Sequence, residues 1–387
     1  MSAVGIIAEF NPLHNGHKYL IENAKREGTV VCVISGNFVQ RGDTAIAEKR
    51  IRAKAALECG ADLVLELPVL WSMSTAQNFA LGSVSALKYA LCDKIIFGSE
   101  CGSVDDLKNA SSIISSPLFP EKLKQELNTG ITFAKARENA AKLLGLDTDI
   151  LSGANNNLAI EYINAAKILK YEPKFKTVKR LGAMHDSFEE AEFVSASLLR
   201  EKLYEGDYDF CKKYMPEKII DLFSPQNVSN ISNIENAILA VLRSKTKEDF
   251  SILPDLSEGV ENKLFSSIRL APGLEELYNM IKAKRYTLAR IRRLVLSAFI
   301  GADNSFFMKP LPYVRVLGFN KAGENHLKLM LSNPNAPIIT KVSDIESLSL
   351  DAKRVFDTEC RATDLFALSV EKPLECGLEY TSKIIKM

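Results

Sequence analysis

The chain has 387 residues, more than one typical domain needs, and 47% of them are hydrophobic, enough for complete cores. Because 49 Lys and Arg face 48 Asp and Glu, the formal charge is only +1, and any nucleic-acid binding must come from a local basic patch. The N-terminus lacks a signal-peptide pattern, no uncharged apolar run approaches about 18 residues, and seven scattered cysteines contain no C-x-x-C pair, so we expect an unexported cytoplasmic protein with no membrane partner and no zinc site.

The first half of the chain alternates short apolar runs with helical patterns. Four runs rich in Val and Ile predict strands at 3–10, 29–35, 62–67 and 94–99, and each is followed by a turn and a helix. This alternation predicts an α/β fold with a parallel sheet. Ligands of such sheets bind at the carboxyl ends of the strands, where this chain carries its unusual polar loops.

The first of these loops contains two histidines around a glycine. The segment Asn11-Pro-Leu-His14-Asn-Gly16-His17 follows the first strand and opens a helical pattern near Lys18. Two imidazoles three residues apart share one face of a helix, and the unpaired N–H groups and positive dipole end there favour a phosphate. The order of strand, His-x-Gly-His and helix therefore predicts a site for the α-phosphate of ATP.

Three further loops carry candidate ligands. In the second, Gln40 and Arg41 could bind a phosphate or an anionic substrate, or simply form a solvated turn. At the fourth strand, Gly98 and Gly102 would let a nucleoside lie against the backbone. Farther along, Asn155, Asn156 and Asn157 precede a helix; one suffices as an N-cap, so another could face the nucleotide, and the sequence leaves open which one.

A second phosphate signal lies at 194–200. Val194-Ser195-Ala-Ser197-Leu-Leu-Arg200 predicts a capped helix from Leu198 to Glu205, with Ser197 and Arg200 on one face of its N-terminus. Together with the histidine loop, this segment predicts a clamp on the triphosphate, to which Lys179 and Arg180 could add charge.

The strand pattern fades after about residue 205, which predicts two domains, 1–205 and a mainly helical 206–387 with extended stretches at 313–318 and 337–340. Within the second domain, 281–300 predicts one basic amphipathic helix. Its cations are Lys282, Arg285, Arg290, Arg292 and Arg293, and its apolar side carries Leu288, Ile291, Val295, Ala298 and Phe299. With no acidic residue within the segment, this face predicts binding to an RNA backbone, although a solvated face over a core is the plain alternative.

These motifs together resemble a known family. His14-Asn-Gly-His17 and Ser195-Ala-Ser-Leu-Leu-Arg200 are similar to the nucleotidyltransferase superfamily, whose catalytic domain is Rossmann-like. Gly5-Ile-Ile-Ala-Glu-Phe-Asn-Pro, Ser35-Gly-Asn-Phe-Val-Gln-Arg-Gly42, Phe97-Gly-Ser-Glu100 and Arg285-Tyr-Thr287 resemble, more closely, the bacterial tRNA(Met) cytidine acetate ligases. Two departures are Ala154, where proline is expected, and Leu13, where an aromatic residue is more usual.

The resemblance implies a reaction. The family activates acetate with ATP to acetyl-adenylate and transfers the acetyl group to N4 of the wobble cytidine of elongator tRNA(Met). It implies catalytic roles for His14, His17 and Arg200, ATP as co-substrate accompanied by Mg²⁺ without a protein metal cage, and substrate contacts at Gln40 and Arg41. The basic face of 281–300 would then hold the tRNA, with Lys282, Arg285, Arg290 and Arg293 as the contacts. The implied ATP contacts are Ile7, Ala8, Glu9, Phe10, Asn11, Pro12, Gly16, His17, Gly102, Asn156, Arg180, Ser195, Ser197 and Arg200. The loop at 68–79, with Trp71, Ser72 and Gln77, could line the acetate pocket.

Two other function classes use parts of the same pattern. A small-molecule adenylyltransferase would need the first domain without the basic helix, and a non-catalytic RNA-binding protein would need the helix without the two phosphate motifs. The RNA-modifying ligase uses both.

Overall fold

The computed structural model describes residues 2–180, 194–256, 259–283, 286–333 and 337–387. Its strands fall into one large sheet and one small hairpin. They are β1 (Ala3–Ala8), β2 (Thr29–Ser35), β3 (Phe38–Val39), β4 (Asp43–Thr44), β5 (Leu63–Leu67), β6 (Lys94–Ser99), β7 (Lys174–Lys179), β8 (Val314–Phe319), β9 (Ile338–Ile339) and β10 (Ile385–Lys386).

The large sheet has the order β10-β8-β5-β2-β1-β6-β7, with β9 beside β8. Its strands pair in parallel except for β5 and β8, which are antiparallel. In the central pair, Ala3 lies opposite Thr29 and Ala8 opposite Ile34. The α/β prediction is confirmed. The sheet takes strands from both sides of residue 206, and the division into two domains stays a prediction.

Helices surround this sheet and form a separate layer in the second half. They are α1 (Asn15–Lys25), α2 (Lys49–Glu58), α3 (Val69–Ser72), α4 (Ala76–Tyr89), α5 (Val104–Ile114), α6 (Phe119–Leu127), α7 (Phe133–Leu143), α8 (Ala154–Ile168), α9 (Ala196–Glu205), α10 (Tyr208–Tyr214), α11 (Glu235–Ser244), α12 (Lys247–Ser251), α13 (Val260–Ser267), α14 (Leu274–Ile281), α15 (Leu288–Ile300), α16 (Lys321–Leu331), α17 (Leu350–Phe366) and α18 (Leu378–Thr381). Among the described residues, none of the helices combines the length and apolarity needed to cross a membrane.

Two hydrophobic cores cover the two faces of the sheet. Along β1, Val4 and Ile6 pack into one core, whereas Ala3 and Ile7 pack into the other. Burial on both faces is typical of a parallel sheet with helices on each side, and it explains why these strands appear in the sequence as continuous apolar runs.

A third core belongs to the helical layer. It joins buried side chains of α11, α13, α14 and α15 to three residues from the sheet's carboxyl edge, Phe38, Val69 and Met73. The helical layer therefore lies over the ends of β2 and β5, on the side of the sheet where the polar loops begin.

Candidate active site

The two histidines of the first loop stack on each other at the start of α1. Their ring centroids are 3.8 Å apart, and the ring of Phe10 meets His17 edge-on at 5.2 Å. His14 is the N-cap of the helix: its Nδ1 accepts from Gly16 N at 3.1 Å, and His17 Nδ1 accepts from His14 N at 3.4 Å. Because each Nδ1 accepts an N–H, each neutral ring carries its proton on Nε2.

Burial keeps both imidazoles neutral. Desolvation, with Arg180 as a second cause, lowers the pKa of His14 to about 4. Desolvation also lowers the pKa of His17 well below its usual value, helped by His14 and Arg180. A neutral imidazole donating through Nε2 at the positive end of a helix is suited to a phosphoryl oxygen.

The segment between β1 and α1 is held rigidly. Ile7 and Ala8 end the strand, Phe10 adopts a φ of +45°, and the Asn11–Pro12 peptide is cis. Asn11 Oδ1 accepts from Ile46 N at 2.6 Å. The fully buried Arg52 donates to the carbonyls of Glu9, at 2.7 Å, Ala47 and Gly36, so one guanidinium fixes the loops after β1 and β2 together.

The predicted second phosphate segment meets this loop. Arg200, on α9, donates to Asn11 O at 2.8 Å and to Ser197 Oγ at 3.2 Å. Arg41, from the turn between β3 and β4, donates to the same Ser197 Oγ at 3.3 Å. Two guanidinium groups distant in the sequence thus converge on one exposed hydroxyl, an arrangement suited to an anion. Ser195 caps α9, whose helix begins at Ala196, two residues before the predicted start.

Glu9 is the acidic residue beside these cations. Its Oε1 accepts from Gln40 N at 2.9 Å. Burial raises the pKa of Glu9, while the Gln40 N–H and the positive charges of Arg200, Arg52 and Arg41 act against that rise. Glu9 therefore fixes the backbone of Gln40 at the entrance to the site.

A second set of loops lies at the end of β6. Gly102 has a φ of +68°, its N–H donates to Ser99 Oγ at 3.0 Å, and an added Cβ would lie 3.0 Å from Lys179 Cβ. Asn156 Oδ1 accepts from Glu100 N at 2.9 Å and from Cys101 N at 3.2 Å. Asn156 is 2% exposed, so the structure gives it a role in shaping this loop.

The other two asparagines have different partners. Asn155 donates to Glu100 Oε1 at 2.6 Å and accepts from the exposed Arg180 at 3.3 Å. Asn157 donates to the carbonyls of Leu151, at 2.7 Å, and Gly153, at 2.9 Å, which places it in the helix start. Since Arg180 also lowers the pKa of both site histidines, the Asn155–Arg180 pair borders the histidine loop.

The basic segment differs from its prediction in two ways. The prediction of one helix over 281–300 is wrong at its start, because α14 ends at Ile281 and α15 begins only at Leu288. Leu288, predicted to face the core, is 39% exposed. Ile291, Val295, Ala298 and Phe299 are buried as predicted. Lys282 is exposed, and Arg285 lies outside the described residues.

An acidic residue from elsewhere also neutralises part of that basic face. Asp255 accepts from Arg290 and Arg293, each at 3.3 Å, and these two side chains are only 20% and 14% exposed. The sequence of 281–300 could not predict this pairing, because Asp255 lies 35 residues before Arg290.

Two of the three side chains named for the loop at 68–79 are buried in the core. Trp71 and Ser72 are fully buried, with Trp71 Nε1 donating to Lys309 O at 2.8 Å and Ser72 Oγ to Phe38 O at 2.8 Å. Gln77 donates to Glu161 at 3.3 Å. The idea that Trp71 and Ser72 line an acetate pocket is therefore wrong.

The sequence did not predict a buried charge cluster at the end of β5. In the described part of the chain, Glu66, Glu359 and Glu379 bring carboxylate oxygens within 4.8 Å of one another. Lys49 Nζ lies among them, bonded to Glu66, to Glu359 at 2.9 Å and to Glu379 at 2.6 Å. The ammonium group fills the place a metal ion would take.

Comparisons with known proteins agree with this geometry. The family model described as HIGH Nucleotidyl Transferase matches residues 1–378. A protein of Thermoanaerobacter sp. (strain X514) named tRNA(Met) cytidine acetate ligase is 36% identical over 404 residues and is matched over the full length of both chains. A Clostridium acetobutylicum protein of the same name is 38% identical over 377 residues, covering 91% of this chain and 93% of that one.

A solved structure is similar over the whole chain. It is the crystal structure of Thermotoga maritima TmcAL bound with alpha-thio ATP, 28% identical, with a TM-score of 0.90 and full coverage of both chains. The curated names support the tRNA-modifying enzyme over the small-molecule adenylyltransferase and the non-catalytic RNA-binding protein. Its motifs, fold and relatives establish that this chain belongs to the tRNA(Met) cytidine acetate ligase family, within the HIGH nucleotidyltransferases.

Proposed function

We propose that this protein activates acetate with ATP and transfers the acetyl group to N4 of the wobble cytidine of elongator tRNA(Met), in the cytoplasm. The observation that carries the proposal is the convergence of Arg41 and Arg200 on Ser197, beside the stacked rings of His14 and His17. This arrangement offers neutral donors for one phosphate and two cations for further anions. Membership of the family supports tRNA as the acceptor of the acetyl group.

The first step requires charge neutralisation rather than a base. A carboxylate oxygen of acetate attacks the α-phosphorus of ATP, the bond to pyrophosphate breaks, and pyrophosphate leaves with that electron pair. Acetate is already an anion, so no proton has to be removed. Electrostatic stabilisation of the phosphoryl oxygens and the leaving group is the main requirement.

The residues divide this work by position. His14 and His17 and the α1 N-terminus lie where the α-phosphate would sit, with Ile7 to Pro12 and Gly16 forming its surroundings. Ser195, Ser197 and Arg200 would hold the leaving pyrophosphate, and Gly102, Asn156 and Arg180 the nucleoside side. Asn156 would act through the backbone of Glu100 and Cys101, which it already holds.

We place acetate at Gln40 and Arg41. The Arg41 guanidinium is exposed at the turn of the β3–β4 hairpin, and the Gln40 backbone is fixed against Glu9. An exposed cation beside a fixed backbone could bind a small carboxylate next to the phosphate site.

Mg²⁺ would accompany ATP as an ion held by phosphate oxygens and water. Imidazoles and guanidinium groups dominate this site, and a hard cation prefers oxygen ligands supplied by the nucleotide. Its chemistry would be to neutralise charge on the phosphates.

In the second step the N4 amine of cytidine attacks the acetyl carbon, the bond from that carbon to the adenylate oxygen breaks, AMP leaves with the electron pair, and the amine releases one proton to water. We propose that the helical second half, residues 206–387, holds the tRNA, with Lys282, Arg285 and Arg290 near its backbone. Arg293, the fourth predicted contact, is instead bonded within the protein to Asp255 and to the Gln40 carbonyl. The location of the helical layer over the carboxyl edge of the sheet favours this, since RNA bound there would reach the adenylate.

Acetate-dependent exchange of labelled pyrophosphate into ATP tests the first step, with omission of acetate as the control. Transfer of labelled acetate to a transcript of elongator tRNA(Met), compared with a transcript whose wobble cytidine is uridine, tests the second. Absence of acetate-dependent exchange, with and without tRNA, would refute the ligase activity.

A further inference from the structure

The backbone of Gln40 is held on both sides of its Cα. Its N–H donates to Glu9 Oε1 at 2.9 Å, and its carbonyl accepts from Arg293 Nη1 at 3.1 Å. Glu9 belongs to the histidine loop, whereas Arg293 belongs to α15 in the helical layer. One residue of the β3–β4 turn therefore connects the histidine loop to the helical layer.

Arg293 is fixed for this contact. Its Nη2 pairs with Asp255 Oδ2 at 3.3 Å, and the side chain is 14% exposed. A side chain that binds RNA phosphates is usually more exposed than this. The guanidinium of Arg293 uses one N–H of each terminal nitrogen within the protein, and the carboxylate of Asp255 already matches its charge. These contacts argue for orienting the turn rather than for meeting RNA.

The glycine after Arg41 seats the turn directly on the helix. Gly42 has a φ of +73°, and an added Cβ would lie 2.6 Å from both Arg292 Cβ and Arg293 N. Any side chain there would push the turn off α15. Arg41, between Gln40 and Gly42, is thereby placed to donate to Ser197.

We propose that Arg293 is a positioning residue of the acetylation reaction: it holds the Gln40 carbonyl so that Gln40 and Arg41 form the acetate subsite. The inference rests on the proposed function, in which those two residues bind acetate. It gives Arg293 a role distinct from the tRNA contact suggested by the basic pattern of its helix.

Steady-state pyrophosphate exchange without tRNA tests the proposal through the separate KM values for acetate and ATP. Arg293→Ala is expected to raise the KM for acetate about 10-fold, because a displaced turn misplaces Gln40 and Arg41. The KM for ATP should change less than about 2-fold, because Asn11 and Ser197 keep their bonds from Arg200. Arg293→Lys, which keeps one donor, should give an intermediate KM for acetate. The matched control is Arg243→Ala, which removes a 2.7 Å guanidinium bond to Ala271 O in the same helical layer and should leave both KM values unchanged.

Gly42→Ala displaces the turn with Arg293 intact, and it should raise the KM for acetate in the same selective way. If a variant merely lost folded protein, its apparent kcat would fall and both KM values would stay constant. That result would refute the positioning role of Arg293. An unchanged KM for acetate in Arg293→Ala or in Gly42→Ala would also refute it, as would weakened tRNA binding in Arg293→Ala with normal exchange. Wild-type protein without acetate-dependent exchange would instead refute the proposed function, and that result is visible before any variant is made.

Discussion

Two clusters of charge lie at the carboxyl ends of β5 and β1, two strands of one sheet separated only by β2, and they are built in opposite ways. Around Lys49, at the end of β5, the cations Lys49, Arg50 and Arg315 are matched by Glu66, Glu359 and Glu379, nearly all out of contact with water. Around His14, at the end of β1, Arg41 and Arg200 meet at a hydroxyl instead of a carboxylate.

The difference separates a structural role from a binding role. In the Lys49 cluster the positive charges lower the pKa of Glu379 despite its burial, whereas burial raises the pKa of Glu359 to about 8. In that cluster each carboxylate lies within ion-pair distance of a cation. At the histidine site the two guanidinium groups share a neutral hydroxyl, and under the proposed function the phosphates of ATP would supply an anion there.

The largest effect is expected from breaking the Lys49 cluster. Lys49→Met leaves Glu66, Glu359 and Glu379 buried without their shared cation, and removing one partner of a buried pair costs about 3–5 kcal/mol. The free energy of unfolding in urea measures this. Lys135→Met, which removes an exposed pair with Glu138, is the control and should change it far less. If Lys49→Met changed the free energy of unfolding as little as Lys135→Met, the Lys49 cluster would not have the structural role that distinguishes it from the histidine site.

The histidine site should respond in activity instead. His17→Ala removes a preorganised donor, and the loss of one such donor typically costs about 10² to 10³ in rate. Pyrophosphate exchange should fall by that factor while the melting temperature and tRNA affinity change little. Glu22→Gln, on an exposed position of the same helix, is the matched control. Loss of tRNA affinity together with activity would make His17 a structural residue.

The neutral state of His14 gives the comparison a pH test. Its pKa is about 4 when folded and 6.5 in the unfolded chain, so the unfolded state binds more protons as the pH falls between these values. The contribution of His14 to the free energy of unfolding is therefore largest above pH 6.5, and up to about 3 kcal/mol of it is lost as the pH falls towards 4. The difference in unfolding free energy between wild type and His14→Gln should shift in that direction between pH 7 and 5. A constant difference would show that His14 titrates normally.

Local patterns predicted the sheet well. Strands 29–35 and 94–99 match β2 and β6 residue for residue, because buried parallel strands are short, apolar and bounded by turns. β1 is shorter than predicted, ending at Ala8 because the chain turns away at Phe10. β7 was not predicted: its alternating lysines belong to an edge strand with an exposed face.

The sequence could not predict the contacts between segments that lie far apart in the chain. His14, His17, Ser197 and Arg200 were found from spacing within single turns of helix, whereas the meeting of Arg41 with Ser197 spans 156 residues. Lys49 and Arg52 look like the exposed face of a helix, yet both are fully buried. Their partners, such as Glu359 and the Gly36 carbonyl, come together only in the folded chain.

The smallest effect concerns the basic segment, where the same contrast between matched and unmatched charge applies. Lys282 is exposed, while Arg290 is paired with Asp255. If Lys282 contacts one RNA phosphate, Lys282→Ala should reduce the slope of log affinity for tRNA against log salt by about 0.7 to 0.9. Arg290→Ala should change that slope less, because its charge is already partly neutralised within the protein. Equal slopes for wild type and Lys282→Ala would place the tRNA backbone elsewhere, and a larger change for Arg290→Ala would mean that RNA displaces Asp255.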